Sequence, residues 1–163
     1  MSLLRLASVL TLAAWIGGLA ALGIVAAPTI FTVLEIHDPV AGRTLAGLVF
    51  GAVFERFLRI SWGLGVLLLA LLGARAALGP RPRRLGIRLW TVAAMLAISL
   101  TTSLVIAPRI DAIRDETHGT VASLPDTDPV KIEFGRLHGL SSTLLLVTIA
   151  AGVGLFWVEL KDQ

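Results

Sequence analysis

The stretch Glu133-Phe134-Gly135-Arg136-Leu137-His138-Gly139-Leu140-Ser141-Ser142 sets three ionisable side chains at the mouth of a long apolar run. On a helix, Phe134, His138, Ser141, Ser142 and Leu145 share one face, and Glu133 and Arg136 are i,i+3 neighbours. Such a face can hydrogen-bond to another helix. Ser141 and Ser142 suit a neighbouring backbone or their own, and Arg136 suits a carboxylate or a headgroup phosphate. Glu55 and Arg59 are spaced i,i+4 and can pair in the same way. Glu55, Arg56, Arg59, Arg109, Glu133, Arg136, His138, Ser141 and Ser142 therefore form the expected polar cluster at one end of the molecule. Ionisable groups cost about 2.5–3.5 kcal/mol to insert at the centre of a membrane, so a cluster beside a span is a functional candidate by default.

An imidazole can also ligate a metal. His37, His118 and His138, with Glu35, Asp38 or Asp115, are the candidate divalent-metal set, although their spacing matches no ligand pattern. Copper(I) would favour sulfur, and the chain has no Cys and only Met1 and Met95. Bis-histidine haem needs two facing imidazoles at a suitable depth, and only His138 lies near a span. No cofactor is expected, with metal or haem as the alternative. Ser141, Ser142 and His138 do not make a nucleophile elbow, no Gly-rich phosphate loop appears, and an enzyme is not expected.

The elements that must position these groups are membrane spans. The chain is 56% hydrophobic and 15% charged over 163 residues, with a mean hydropathy of +0.87. A soluble domain of this size could not hide that much apolar surface. Four runs, about 6–27, 60–78, 89–107 and 137–158, can each cross the roughly 30 Å of hydrocarbon. The first is longer than a signal-peptide core and reads as a retained span. Arg81, Arg83, Arg84 and Arg88 crowd the connection at 79–88, which the positive-inside rule puts in the cytoplasm with both termini. The connections at 28–55 and 108–132 then face outward. The net charge of +3 does not point to nucleic acid, because the basic residues sit in short loops without an aromatic stripe.

The outer connections are expected to be partly helical. Ala41–Phe57 reads as a helix at the interface or an outward extension of the second span, and a straight helix over 41–78 would be about 57 Å long. Arg109–Glu116 can continue the third span, and Ser123–Pro129 is turn-rich. Trp15 with Gly17 and Gly18, and Gly135 with Gly139, are the expected sites of close helix packing. Trp62, Trp90 and Trp157 fall near span ends, as belt residues do.

An internal repeat is visible at a shift of 80 residues. Val25, Ala27, Pro28 and Ile30 meet Val105, Ala107, Pro108 and Ile110, and Thr11, Ala13 and Ala14 meet Thr91, Ala93 and Ala94. Arg56 meets Arg136, whereas His138 meets Leu58. Each half would be one two-span hairpin, so the halves would be parallel repeats about an axis along the membrane normal. The expected fold is an all-α, integral membrane four-helix bundle with an extra helical segment at the outer face, forming a single domain over 1–163.

Trp15-Ile16-Gly17-Gly18, Pro28 with Phe31, Ala41-Gly42 and the stretch Phe134–Ser142 together resemble the bacterial family called domain of unknown function 4149. That family is similar to the eukaryotic transmembrane protein 205. The resemblance implies a four-span protein of the bacterial cytoplasmic (inner) membrane and supplies no biochemistry, although members are discussed with drug or metal resistance. The expected role is a small non-enzymatic accessory or packing subunit of a larger membrane complex. Its expected partners are the lipid bilayer and other membrane subunits or a second copy of itself. The alternatives are a small-solute or metal transport or resistance protein with a polar outer site, and a histidine-ligated metal or haem protein.

Overall fold

The computed structural model describes residues 3–78 and 82–161. Arg81 of the basic connection and Met1 lie outside them. Among the described residues, six α-helices form four long rods. The first rod is α1 (Leu3–Ala21) and α2 (Ala27–His37), and the second is α3 (Gly42–Leu78). The third is α4 (Leu85–Thr101) and α5 (Ala107–Glu116), and the fourth is α6 (Pro129–Lys161). The rods are 35, 37, 32 and 33 residues long, and each is apolar enough to cross a membrane. The chain is an all-α, four-helix, multi-pass membrane bundle.

A span needs only about 20 residues, so each rod has a surplus. The surplus lies at the end opposite the termini, hereafter the distal end. There α2, the start of α3, α5 and the start of α6 continue the spans as helix. No separate surface helix forms over 41–57, because that segment is the first part of α3. The distal connections shrink accordingly. Asp38 closes the first by accepting hydrogen bonds on Oδ1 from the Val40 and Ala41 N–H groups, at 3.0 and 2.9 Å. The second is tied down by Lys131, which pairs with Asp126 at 2.9 Å and donates to the Leu124 carbonyl at 2.7 Å. Thr44 on α3 donates to the Gly119 carbonyl at 3.0 Å.

The repeat has a backbone counterpart. Pro28 and Pro108 lack an N–H, and their rings crowd the preceding turn. Both helices respond with a wider π turn immediately before, Leu22–Ala26 and Thr102–Ile106, 80 residues apart. The Ala27 N–H bonds to the Leu22 carbonyl and the Ala107 N–H to the Thr102 carbonyl. The rod therefore continues past the proline. α1 and α4 each pack against both α3 and α6, as two related hairpins would.

The core lies between the termini and the π turns. Trp15, wholly buried, meets Leu12, Leu19, Leu68, Leu72, Val92, Met95 and Leu155. Gly65 on α3 makes room for the Trp15 ring, since a Cβ there would stand 3.0 Å from it. Gly18 lies under the Phe57 ring, and Gly152 on α6 receives Ile16. Trp15 and Gly18 thus pack as expected. Gly17, Gly135 and Gly139 do not, because a Cβ at any of them would meet no described atom within 4 Å. They sit on outward faces of their helices. A spacing of four marks one face of a helix without saying which way that face turns.

Candidate functional site

Two polar sites occupy opposite ends of the bundle. At the distal end a cavity of about 90 Å³ opens among α2, α3, α5 and α6. Phe31, Phe50 and Phe54 give it an aromatic lining, and Phe50 and Phe54 stack at 5.8 Å. Glu55, Asp111, Arg114, His138, Ser141 and Ser142 supply the polar atoms. A smaller void of about 10 Å³ shares Phe54 and Ser141 and reaches Ser99, Thr102 and Thr148 deeper in the bundle. These three hydroxyl residues are buried. Thr102 opens the π turn, and Ala107, just after that turn, lines the main cavity.

Arg114 builds much of this site. Its guanidinium leaves α5, contacts Asp111 Oδ1 at 3.3 Å and lies 5.7 Å from the Phe134 ring centre on α6. It crosses α3 where Gly47 and Gly51 leave room. A Cβ at these positions would come within 3.3 and 2.9 Å of its nitrogens. One cation therefore joins three helices through an ion pair, a cation–π contact and a glycine-lined surface. His138 stacks nearly parallel on Phe134 with ring centres 6.3 Å apart. Ser142 Oγ donates to the His138 main-chain oxygen at 3.0 Å.

The expected polar cluster is only partly gathered. Glu55, His138, Ser141 and Ser142 line the cavity. Arg59 is drawn to Glu55 at 2.5 Å. Arg109 and Glu133 form a separate two-point ion pair on the surface, at 2.8 and 3.1 Å, linking α5 to α6. The Arg109 hydrogen bond holds the Glu133 carboxyl below its usual range, and the same bond raises the guanidinium. Lys131 likewise lowers the Asp126 carboxyl. Arg56 and Arg136 are exposed and do not line the cavity.

The histidines do not form a joint site. Among the described residues no three His, Cys, Asp or Glu side chains come together as a metal-ligand set. His37 turns Nδ1 back to the Val33 carbonyl at 2.9 Å. His118 sits in a left-handed turn at φ 48°, and His138 faces Phe134. Helix ends and turns hold the three apart.

The second site was hidden in the sequence. At the end that carries the termini, Glu159 of α6 is buried among arginines from the other three rods. Arg88 of α4, wholly buried, donates Nη1 to Glu159 Oε2 and Nε to the Arg83 carbonyl at 3.1 Å. Arg75 of α3 pairs with Oε1 at 2.8 Å. Arg5 of α1 approaches Oε1 at 3.5 Å and donates to the Glu159 main-chain oxygen at 2.7 Å. One carboxylate thus ties all four rods. Each of these residues alone reads as a charge marking a span end, and their meeting depends on helix rotations that spacing does not reveal.

The model of the family described as Domain of unknown function (DUF4149) matches residues 10–119. The chain belongs to this family. The match takes in the first three spans, both π turns, Trp15 and the α5 side of the cavity. It stops before Phe134–Ser142, the last of the stretches that carry the resemblance. No curated protein and no solved structure matches the chain.

Proposed function

We propose that this DUF4149 protein is a non-enzymatic protein of the bacterial cytoplasmic membrane that binds a compact solute at its outer face. The solute's apolar body would rest on Phe31, Phe50 and Phe54, and its polar end would meet His138, Ser141 and the Asp111–Arg114 pair. The carrying observation is the distal cavity, an apolar recess with a few convergent polar groups, as small-molecule sites usually are. Its 90 Å³ is smaller than the roughly 150 Å³ cavity that admits benzene, so the enclosed part of the solute is a few heavy atoms. The outward orientation rests on Arg83, Arg84 and Arg88 beside the termini. The absence of an activated nucleophile among the lining residues favours binding over catalysis, since Ser142 is committed to a backbone oxygen.

A thermal-shift screen of compact amphipathic solutes on the purified protein tests this reading. At least one solute should raise the melting temperature of the wild type. Ser141→Leu, which fills the cavity, should abolish that rise. A wild type that answers to no solute, or a Ser141→Leu protein that still answers, would overturn it.

One observation favours a role as an accessory subunit. Gly135 and Gly139 lie one turn apart on an open face of α6, where a second membrane helix could approach closely. Native mass spectrometry of gently solubilised membranes would show a stable partner or a second copy if this face is an interface. A monomer alone would refute it.

A further inference from the structure

A second groove lies at the terminal end, where the start of α4 meets the end of α6. Arg83, Arg84, Val158 and Lys161 line it, and its open volume is about 330 Å³. Three of the four lining residues are cations, and all three are exposed. None of them is ion-paired among the described residues. The nearest described carboxylate in sequence, Glu159, is turned inward onto Arg5, Arg75 and Arg88. Arg84 is held at φ 54°, a left-handed conformation that a non-glycine residue adopts at a cost. The cation row is flanked by apolar surface at the same level. Lys161 Nζ lies 4.8 Å from the Trp157 ring centre, and Trp157 and Trp90 are 59% and 78% exposed. Exposed tryptophans of this kind settle at the boundary between headgroups and acyl chains.

We infer that this groove holds the phosphate headgroup of an anionic phospholipid. Three cations at one level answer a phosphodiester, and basic pockets between spans beside the cytoplasmic leaflet are known to select anionic lipids. Val158 in the groove and Trp157, beside Lys161, offer an apolar wall for the glycerol and upper acyl chain. A soluble anion would use the charges and leave that wall idle. A lipid uses both, since exposed tryptophans such as Trp157 and Trp90 settle at the level of the headgroups.

Native mass spectrometry of the full chain released from nanodiscs tests this. Equimolar phosphatidylglycerol, cardiolipin and phosphatidylcholine are offered, with inorganic phosphate as competitor. The wild type should retain the two anionic lipids over phosphatidylcholine. Each of Arg83→Gln, Arg84→Gln and Lys161→Gln should lower that retention by about fivefold, since each juxtamembrane charge is worth about 1 kcal/mol near an anionic surface. Arg56→Gln with Arg136→Gln, at the distal end, should leave it unchanged. Equal retention of all three lipids, undiminished retention in the variants, or displacement by millimolar inorganic phosphate would overturn the inference. Arg84→Gly removes the charge while relieving the left-handed backbone, so it gives the same reading should Arg84→Gln fold poorly.

Discussion

Replacing Glu159 by glutamine tests the charged junction most sharply. The substitution keeps the side chain's shape and one carbonyl acceptor, removes the negative charge and turns the other acceptor oxygen into an N–H donor. Arg88 is wholly buried and the Glu159 side chain is 5% exposed, so neither can turn to water in place. Removing one partner of a buried pair costs about 3–5 kcal/mol, because the remaining charge stays desolvated. Arg5, 19% exposed, can reorient toward water along its flexible stem, which moderates the loss. About 3 kcal/mol is the expected net effect. For a chain of this length that is about 6–12 °C in melting temperature, measured by intrinsic tryptophan fluorescence in mild detergent. Arg5→Gln should cost less than Arg88→Gln, because Arg5 is 19% exposed. Replacing the buried members together, Arg75→Met and Arg88→Met with Glu159→Leu, should recover most of the loss, since only the partly exposed Arg5 is then left without the carboxylate. A Glu159→Gln protein that melts within about 2 °C of wild type, corresponding to less than ~1 kcal/mol, would refute the reasoning.

Other outcomes follow from the same geometry. Trp15→Phe should cost little through the lost N–H, because the buried Nε1 has no hydrogen-bond partner among the described residues, whereas Trp15→Ala should cost about 3–5 kcal/mol as a cavity opens; equal losses in the two variants would count against that account. Gly152→Val, which drives a side chain into Ile16, should destabilise strongly, and Gly135→Ala should not change the melting temperature of the monomer. The Arg109–Glu133 link should be present at neutral pH and fail only in acid. Glu133 is held below its ordinary value, so its contribution is complete above the usual carboxylate range and is lost as pH falls through the depressed value. Spin labels on α5 and α6 should therefore separate only well below neutrality, and separation near pH 6 would contradict the assignment.

Long apolar runs announce spans because lipid imposes a length and a composition, so the four rods were legible from hydropathy alone. Pro28 and Pro108 were legible as a repeat because a missing N–H forces the same backbone remedy wherever it recurs. Trp15 and Gly18 were legible because a large ring beside a glycine needs a neighbour. Gly135 and Gly139 do not face the bundle; their spacing gives a face without its direction. Arg114 and Asp111 carry no sequence signal beyond that of charges on a polar helical segment, although Arg114 spans three helices. Glu159 carries no sequence signal beyond that of a charge near the end of an apolar run. Its role depends on arginines 71 or more positions away along the chain, on all three other rods, and on helix rotations fixed by core packing.

The most direct measurement uses the chain's lack of cysteine. Ser142→Cys in the cavity and Lys161→Cys beside the termini are labelled, one at a time, with a membrane-impermeant maleimide on intact cells. Ser142→Cys should react from outside, and a solute that raises the melting temperature should protect it, while Lys161→Cys should react only after permeabilisation. Labelling of Lys161→Cys on intact cells with Ser142→Cys silent would place the cavity on the cytoplasmic side and contradict the account.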